Sequence, residues 1–350
     1  MDRYPNILGC LLGTAVGDAV GLRREGLSRQ RAMRMYGGAP LIPHLLFGWG
    51  FCSDDTEHTL MVGRALAISG GDPKQFELEL AAQFKRWLLA MPAGVGFATL
   101  RACLKLLVGF GPERSGVVSA GNGPAMRAAL LGVCSSNEAQ LVALVRASTR
   151  ITHTDSRAEE GALIVARAAR LAAVGDTRSP GEFISDSAVQ IHGDELRKSL
   201  QAAASALAEN TSCYEFAEAR GWSNGVSGFI NCTVPAALYC WAKSPQDFQQ
   251  CVENAVLLGG DTDSVAAIAG AICGANLGVD AIPAEWIGRL REWPRTVEWM
   301  SELSKSLRTT VSQRVATDPP SMHWLATVPR NCLFAAVVVS LGFRRLLPPY

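Results

Sequence analysis

Two acids and two hydroxyls lie close together in segment 259–264, whose sequence is GGDTDS. A run without charged residues follows it and ends at Gly278, which predicts a buried helix. Asp and Ser are good N-caps, so Asp261 or Asp263 could simply cap backbone N–H groups at the start of that helix. One cap accounts for one acid. Two acids with hydroxyls beside them, after a permissive Gly-Gly pair, indicate half of a cation site.

A second acidic segment, 53–57 with the sequence SDDTE, precedes an apolar helix that we predict to begin near Thr59. Acids at a helix start also complement its dipole, so this segment alone would be ambiguous. If both segments meet, their carboxylates repel one another in a pocket of low dielectric unless a divalent ion lies between them. Carboxylate and hydroxyl oxygens favour Mg²⁺, Mn²⁺ or Ca²⁺ over Zn²⁺.

Two further acids lie near the N-terminus. We expect Asp18, inside an apolar helix, to accept a structural hydrogen bond rather than to do chemistry. Glu25 follows in a loop and could reach a metal-bound water, or it could be a solvated charge among neighbouring arginines. The sequence leaves both possibilities open for Glu25.

Segment 121–127, with the sequence GNGPAMR, is a glycine-flanked turn that leads into a helix. Such a turn offers backbone N–H groups to an anion, so it is a candidate phosphate cradle, although no strand and no dinucleotide fingerprint accompany it. His153 lies in a polar cluster between two predicted helices. A lone histidine is most often a capping or core residue, and here it could also donate to a phosphate.

The composition predicts a globular protein with a large core: of 350 residues, 48% are hydrophobic and 19% charged, and the net charge is +1. That balance argues against binding nucleic acid or a membrane surface through bulk charge. Ten cysteines without a C-x-x-C pair are typical of reduced thiols in a cytoplasmic protein. Five histidines disfavour a His-rich metal site.

Helical spacing of apolar residues, with abundant Ala, predicts one all-α domain of about a dozen helices. The clearest helices are 59–68, 76–89, 138–149, 157–174, 194–209 and 247–258, with Ser156 and Glu159 as a capping box for one of them. Gly, Pro and Ser clusters at 91–96, 109–124 and 175–181 predict ordinary loops.

Both ends of the chain carry apolar runs. The run 7–21 lacks the charged start of a signal peptide, and its glycines at 9, 13, 17 and 21 share one helical face where another helix can approach closely. The run 332–343 is too short to span a membrane and is predicted to be a core element. We expect an appended tail, residues 301–350, packed on the main domain.

Taken in order, these segments resemble the ADP-ribosylglycohydrolase family. The matching pieces are G-x-x-x-G-D-A-x-G at 13–21, the loop of Glu25, S-D-D-T-E at 53–57, G-N-G-x-A-M-R at 121–127, T-H-x-D at 152–155, the stretches 225–230 and 233–238, and G-G-D-T-D-S at 259–264. Their combination is more specific than any one of them. The resemblance covers residues 7–300, which we take as one domain, numbered 1–300.

The resemblance implies an all-α fold with a two-metal centre, usually of Mg²⁺ and also compatible with Mn²⁺. The implied metal ligands are Ser53, Asp54, Asp55, Asp261, Asp263 and Ser264. Glu25 would gate the metals or act as acid or base, and Asp55 is the other candidate base. The implied residues for the diphosphate are Gly121, Asn122, Gly123 and His153. Gly228 and Phe229 would lie along the adenosine.

The implied activity is removal of ADP-ribose from a modified protein. By analogy with bacterial members of the family, the favoured linkage is to arginine. An immunity protein of this kind would counter an ADP-ribosyltransferase toxin. Two alternatives are weighed against it. A module that binds ADP-ribose or the toxin would neutralise by contact, without turnover. An all-α prenyl-diphosphate enzyme would need D-D-x-x-D or D-D-x-x-E, whereas His58 occupies the position where its next acid should lie.

Overall fold

The computed structural model describes residues 3–175 and 178–349. Within these ranges the protein is all-α, as predicted, and loop segments meet only through isolated β-bridges. The helices are α1 Tyr4–Gly21, α2 Arg29–Tyr36, α3 Asp54–Ser69, α4 Pro73–Leu89, α5 Phe97–Leu107, α6 Pro112–Ser115, α7 Gly123–Met126, α8 Ala129–Cys134, α9 Glu138–Arg150, α10 Ser156–Val174, α11 Pro180–Gln190, α12 Asp194–Ala208, α13 Cys213–Ala219, α14 Ile230–Lys243, α15 Phe248–Val256, α16 Thr262–Leu277, α17 Ala284–Arg289, α18 Val297–Gln313 and α19 Thr327–Arg345.

All six helices predicted from periodicity are present, and α3 and α4 begin earlier than predicted, at Asp54 and Pro73. The predicted dozen is too few for the described residues, because short helices such as α6 and α7 carry too little periodicity to be recognised. Both interrupt the predicted loop 109–124. Residues 176 and 177 of the predicted loop 175–181 lie outside the described residues.

The predicted capping box at the start of α10 is wrong. The N-cap is Asp155, whose carboxylate accepts the backbone N–H of Arg157 at 3.0 Å and pairs with its guanidinium. Ser156 is already the first helical residue. Because Asp and Ser are both strong N-caps, two adjacent candidates could not be separated by residue type.

Helices α1 and α16 form the centre of the core and run antiparallel to each other. The predicted glycine face of α1 is confirmed: a Cβ atom on Gly17 would lie 2.2 Å from the carbonyl oxygen of Ala266, and one on Gly9 would lie 2.2 Å from that of Gly274. At the other end, Gly21 lies against Thr262, whose hydroxyl donates to the Gly21 carbonyl at 2.8 Å. This packing brings the start of α16 beside the end of α1.

Helix α18 crosses the predicted boundary at residue 300 and buries Met300, Leu303 and Leu307. The chain then returns along α3, where the N–H of Thr317 donates to the Ala67 carbonyl at 2.8 Å. The division of the chain into residues 1–300 and 301–350 stays a prediction.

The prediction that run 332–343 is a core element is wrong. The run belongs to the surface helix α19, in which Cys332, Val339 and Phe343 are exposed while Phe334 and Val337 are buried. Two described stretches are long and apolar enough to cross a membrane by length and composition alone, Tyr4–Arg24 and Trp324–Arg345. In the first stretch, 89% of the apolar 18-residue segment is buried, so it is a core helix. In the second, 28% of the corresponding segment is buried. Hydropathy could not tell an inner helix from an outer one.

Candidate functional site

The two acidic segments meet, each at the start of its helix. The Ser264 hydroxyl donates to Asp55 Oδ2 at 3.2 Å, which joins the start of α16 to the start of α3. Ser53 is the N-cap of α3: its hydroxyl accepts the Asp55 N–H at 3.3 Å and donates to Asp55 Oδ2 at 3.0 Å. Asp55 and Asp263 are both buried. Segments separated by two hundred residues therefore share one acidic centre.

Asp18 adds a third carboxylate that the sequence did not assign to the site. One oxygen each of Asp18, Asp55 and Asp263 lies within 4.8 Å of the other two, and all three residues are buried. Asp18 also makes the structural contacts predicted for it. Its carboxylate accepts the Ser53 N–H at 2.9 Å, the Thr56 N–H at 3.1 Å and the Thr56 hydroxyl at 2.5 Å. Asp18 lies between Gly17 and Gly21, where α1 packs closely on α16, and this position was the sequence signal that it could reach the acidic centre.

Burial comes first in the electrostatics of these acids, and repulsion from neighbouring carboxylates comes second for Asp55 and Asp263. Burial raises the pKa of Asp55 well above its usual range, and Asp18, Asp54 and Asp261 raise it further. Burial raises the pKa of Asp18 to about 7. The pKa of Asp263 is raised first by burial and then by its acidic neighbours. Within the described residues, Asp55 Oδ1 is buried and accepts no hydrogen bond.

An unsatisfied buried carboxylate oxygen among other carboxylates fits a bound cation, because a positive ion would satisfy the oxygen and offset the repulsion. The donors are all oxygens, which suits a hard divalent ion. The acidic centre could therefore hold a metal, with Asp18, Asp55 and Asp263 as the closest group of candidate ligands.

The other predicted ligands occupy distinct positions. Asp54, Asp261 and Ser264 line the cavity described below, together with Asp55 and Asp263, whereas Ser53 supports Asp55 from outside its lining. Asp261 is the N-cap residue of α16, but its side chain makes no capping bond. Its Oδ2 instead accepts the amide of Asn122 at 2.5 Å. The capping interpretation therefore fails for Asp261.

A cavity of about 320 Å³ opens beside the acidic centre. Its lining includes most of the predicted site residues, namely Glu25, Asp54, Asp55, Gly121, Asn122, Gly123, His153, Gly228, Asp261, Asp263 and Ser264. Phe97 and Thr99 also line it, next to the segment 91–96 that was predicted to be an ordinary loop. Their residue types carry no chemical signal, so sequence reasoning missed them. Phe97 is 73% exposed, which is unusual for a large apolar side chain.

Phe229 does not line this cavity. It is 48% exposed, and the guanidinium carbon of Arg157 lies 5.9 Å from its ring centroid. Its neighbour Gly228 does line the cavity, and the Gly228 carbonyl accepts the N–H of Asn122 at 3.0 Å. This bond joins the 225–230 stretch to the predicted phosphate cradle.

His153 packs against the glycines of that cradle. A Cβ on Gly121 would lie 3.3 Å from His153 Nε2, and one on Gly123 would lie 3.1 Å from its Cε1. Nδ1 pairs with the Thr152 hydroxyl at 2.9 Å. Burial, and then the neighbouring cation of Arg127, lower the pKa of His153 to about 3, so its ring is neutral at pH 7. A neutral ring can still donate one N–H to an anion.

Arg127 holds this end of the site together from inside. Its guanidinium is fully buried and donates to the Gly123 carbonyl at 2.8 Å, the Thr152 hydroxyl at 2.8 Å and the Ser148 carbonyl at 3.0 Å. These bonds connect the cradle to the segment that carries His153. The arginine of the GNGPAMR motif thus has a structural role that its spacing alone did not indicate.

Glu25 lies at the exposed rim of the cavity, on a loop tied directly to the second acidic segment. The Gly26 N–H donates to the Gly260 carbonyl at 2.7 Å, and the Gly260 N–H donates to the Leu27 carbonyl at 2.8 Å. Partial enclosure raises the pKa of Glu25, as does the Asp261 carboxylate, while Arg345 lowers it. Gly260 has a φ of +80°, and a Cβ there would lie 2.1 Å from the Val226 carbonyl oxygen, so the turn requires glycine.

Replacing Thr56 by Val is expected to destabilise the protein by about 1–2 kcal/mol, because it removes a buried donor to the Asp18 carboxylate and keeps the side-chain shape. Urea unfolding followed by circular dichroism measures this. Thr14→Val is the matched control: Thr14 is equally buried, but its hydroxyl donates to a neutral acceptor, the Cys10 carbonyl of its own helix. We expect a change below about 0.5 kcal/mol for the control. Equal losses in the two variants would contradict a special role for the Thr56–Asp18 bond.

An all-α fold that gathers three buried carboxylates beside a polar cavity defines a helical protein with a candidate metal centre. The chain belongs to the ADP-ribosylglycohydrolase family, whose model matches residues 1–316. Membership of this family supports glycohydrolase activity. The match confirms the resemblance found from the motifs and extends it beyond residue 300.

Similar proteins cover most of this chain. A protein of Archaeoglobus fulgidus is 31% identical over 85% of this chain and 94% of its own length. The ADP-ribosyl-[dinitrogen reductase] glycohydrolase of Rhodospirillum rubrum is 28% identical over 82% of this chain and 90% of its own. The human ADP-ribosylhydrolase ARH3 is 28% identical over 79% and 87%. A solved structure described as an ADP-ribosylglycohydrolase-related protein complex matches with a TM-score of 0.66 and 28% identity, and covers 89% of this chain and 99% of that one.

Proposed function

We propose that this protein is a magnesium-dependent hydrolase that removes ADP-ribose from modified proteins, with ADP-ribosyl-arginine as the favoured linkage. The observation that carries the proposal is the convergence of Asp18, Asp55 and Asp263 beside a cavity that His153 and the 121–123 turn also line. Family membership and the names of two relatives support ADP-ribose as the group that is removed. The Rhodospirillum relative, named for a modified protein, supports a protein substrate.

Two Mg²⁺ ions, or Mn²⁺ in their place, are the proposed cofactors. Asp18, Asp55 and Asp263 would hold them, with Asp54, Asp261 and Ser264 as further donors in the same cavity. When bound, such ions supply fixed positive charge to orient the ribose hydroxyls and lower the pKa of a water. The all-oxygen donor set and the unsatisfied Asp55 Oδ1 support this choice.

The reaction exchanges one bond for another at the anomeric carbon of the ribose. The bond from that carbon to the target nitrogen breaks, a bond to water oxygen forms, and the nitrogen gains a proton. Positive charge develops on the sugar in the oxocarbenium-like transition state, and the carboxylates of the acidic centre nearby would stabilise it. We take Glu25 or Asp55 as the acceptor of the water proton, because both carboxylates line the cavity beside the acidic centre.

At the other end of the substrate, Gly121, Asn122, Gly123 and His153 would hold the diphosphate. The glycines permit close approach of the backbone, and the neutral His153 ring can donate one hydrogen bond. Gly228, and Phe229 outside the cavity, would lie toward the adenosine. Arg127, which fixes the position of this segment through buried hydrogen bonds, would keep the cradle rigid.

Hydrolysis is tested with ADP-ribosyl-arginine protein, an ADP-ribosyl-serine peptide and ADP-ribosylated nucleic acid, each with Mg²⁺ or with a chelator. We expect release of ADP-ribose to be fastest from arginine and to fall by on the order of a hundredfold or more on chelation. Restoring Mg²⁺ after chelation is the control and should restore release. Undiminished turnover in chelator would contradict the metal dependence.

The same assay separates the proposal from a binding module. Tight binding of ADP-ribosylated protein without release would favour a module that acts by contact. The prenyl-diphosphate alternative loses its support, because the family match spans most of the chain.

A cytoplasmic location and an ADP-ribosyltransferase toxin as partner remain separate proposals. The ten free cysteines support a reducing compartment. Protection of cells against such a toxin, lost in a variant without turnover, would support an immunity role by hydrolysis. Protection retained in that variant would support contact instead.

A further inference from the structure

Helix α19 lies beyond the family match, which ends at residue 316, and contacts two segments of the site, the loop of Glu25 and the segment that carries Asp55. Most of its surface is exposed, since only 28% of the apolar 18-residue stretch within Trp324–Arg345 is buried. The few groups it buries are therefore informative about its role. They are Thr327, Arg330, Asn331, Phe334 and Val337.

Arg330, near the start of α19, binds the segment that carries Asp55. Its guanidinium is buried and donates to the Cys52 carbonyl, immediately before Ser53. It also contacts Glu57, in the first turn of α3, at 3.5 Å. The α19 helix thus holds the ligand segment on both sides of Ser53–Asp55.

A buried ionic network reinforces this contact. Glu292 accepts from Arg330 at 2.7 Å and from the Cys52 N–H at 3.2 Å, while Glu57 pairs with Arg295 and accepts the indole N–H of Trp87 at 2.5 Å. Paired charges at this depth are costly to break, because the remaining partner stays buried without compensation. The network therefore fixes the backbone at residue 52 in one geometry.

Arg345, at the far end of α19, binds the loop of Glu25. Its guanidinium donates to the Arg23 carbonyl at 3.1 Å, and its own carbonyl accepts from Arg31. Its positive charge favours the ionised form of Glu25. Between the two ends, Phe334 and Val337 pack with Leu22, which precedes the same loop.

We propose that α19 is a positioning element that holds the Glu25 loop and the Ser53–Asp55 segment in fixed relation across the cavity. At a rise of ~1.5 Å per residue, Arg330 and Arg345 are about 22 Å apart along the axis, so one rigid helix links two loops that are distant in the chain. Removing either arginine should loosen only the loop it binds. The inference rests on the proposed function for its Mg²⁺ and kinetic readouts, whereas the hydrogen-exchange readout is independent of it.

The test uses full-length Arg345→Ala and Arg330→Gln, with Val339→Ala on the exposed face of α19 as the matched control. Amide hydrogen exchange and Mg²⁺ affinity by calorimetry are measured without substrate. We expect Arg345→Ala to speed exchange in residues 22–27 at least tenfold and to leave 52–57 unchanged. Arg330→Gln should speed exchange in 52–57 and weaken Mg²⁺ binding at least fivefold. The control should change neither.

Kinetics add a second readout on the proposed reaction. Arg345→Ala should lower kcat about tenfold with KM within twofold, and Arg345→Lys should restore most of the loss because it keeps the charge. If Arg330→Gln does not fold, Arg345→Ala still decides, since Arg345 is partly exposed. Unchanged exchange at 22–27 in Arg345→Ala, or a uniform rise along the whole chain, would overturn the proposal. Local exchange changes without any hydrolysis of ADP-ribosyl substrates would instead overturn the proposed function.

Discussion

Asp55→Asn is expected to reduce turnover by on the order of a thousandfold and, at the same time, to raise the thermal stability of the metal-free protein. Asp55 is buried against Asp18 and Asp263, so its charge destabilises the fold when no cation is bound. An amide removes that charge, its oxygen still accepts from Ser53 and Ser264, and its NH₂ group can donate to the neighbouring carboxylates. Loss of a ligand should also abolish stabilisation by Mg²⁺.

Thermal melts in chelator and in Mg²⁺, on wild type and variant, measure both effects. The matched control is Glu77→Gln, which also changes a buried carboxylate to an amide. Glu77 is ion-paired with Arg150, so removing the charge of Glu77 should lower the melting temperature. Opposite signs in chelator distinguish an acid held for a cation from an acid held for a salt bridge. A lower melting temperature for Asp55→Asn, with the Mg²⁺ effect intact, would remove Asp55 from the metal centre.

Local patterns in the sequence were enough to predict the all-α fold, many of its longer helices and the two acidic segments. The glycine spacing in α1 predicted close helix packing because the four positions share one face of a regular helix. Segments 53–57 and 259–264 could be recognised because each gathers its acids and hydroxyls within a few consecutive residues. Their convergence was implied by the family resemblance, and the 3.2 Å bond between Ser264 and Asp55 agrees with it.

Contacts made only in the folded chain could not be predicted in this way. Asp18 was recognised as a hydrogen-bond acceptor, but its approach to Asp55 and Asp263 depends on the register between α1 and α16. Phe97 lines the cavity from the start of α5, directly after a loop whose composition is ordinary. The apolar run of α19 resembled a core helix because hydropathy reports composition and not location. Each of these three misses is a long-range placement rather than a wrong residue type.

Gly17→Ala is expected to destabilise the protein by about 3 kcal/mol or more. The new Cβ would lie 2.2 Å from the Ala266 carbonyl oxygen and 2.6 Å from its carbon, both backbone atoms of a buried helix that cannot move aside alone. Alanine is the better helix former by about 1 kcal/mol, so intrinsic propensity predicts the opposite sign. Urea unfolding followed by circular dichroism therefore gives a direct contest between propensity and packing.

Gly288→Ala is the matched control, since Gly288 lies in helix α17 and a Cβ there would meet no atom of the described residues within 4 Å. The free energy of unfolding of Gly288→Ala should exceed that of wild type by up to about 1 kcal/mol. Because Gly17 adjoins Asp18, separating α1 from α16 should also pull Asp18 away from Asp263, and the folded fraction of Gly17→Ala should bind Mg²⁺ more weakly than wild type. Stability like that of the control would mean that α1 and α16 can separate without cost. The close packing of these two helices would then not be what brings the three carboxylates together.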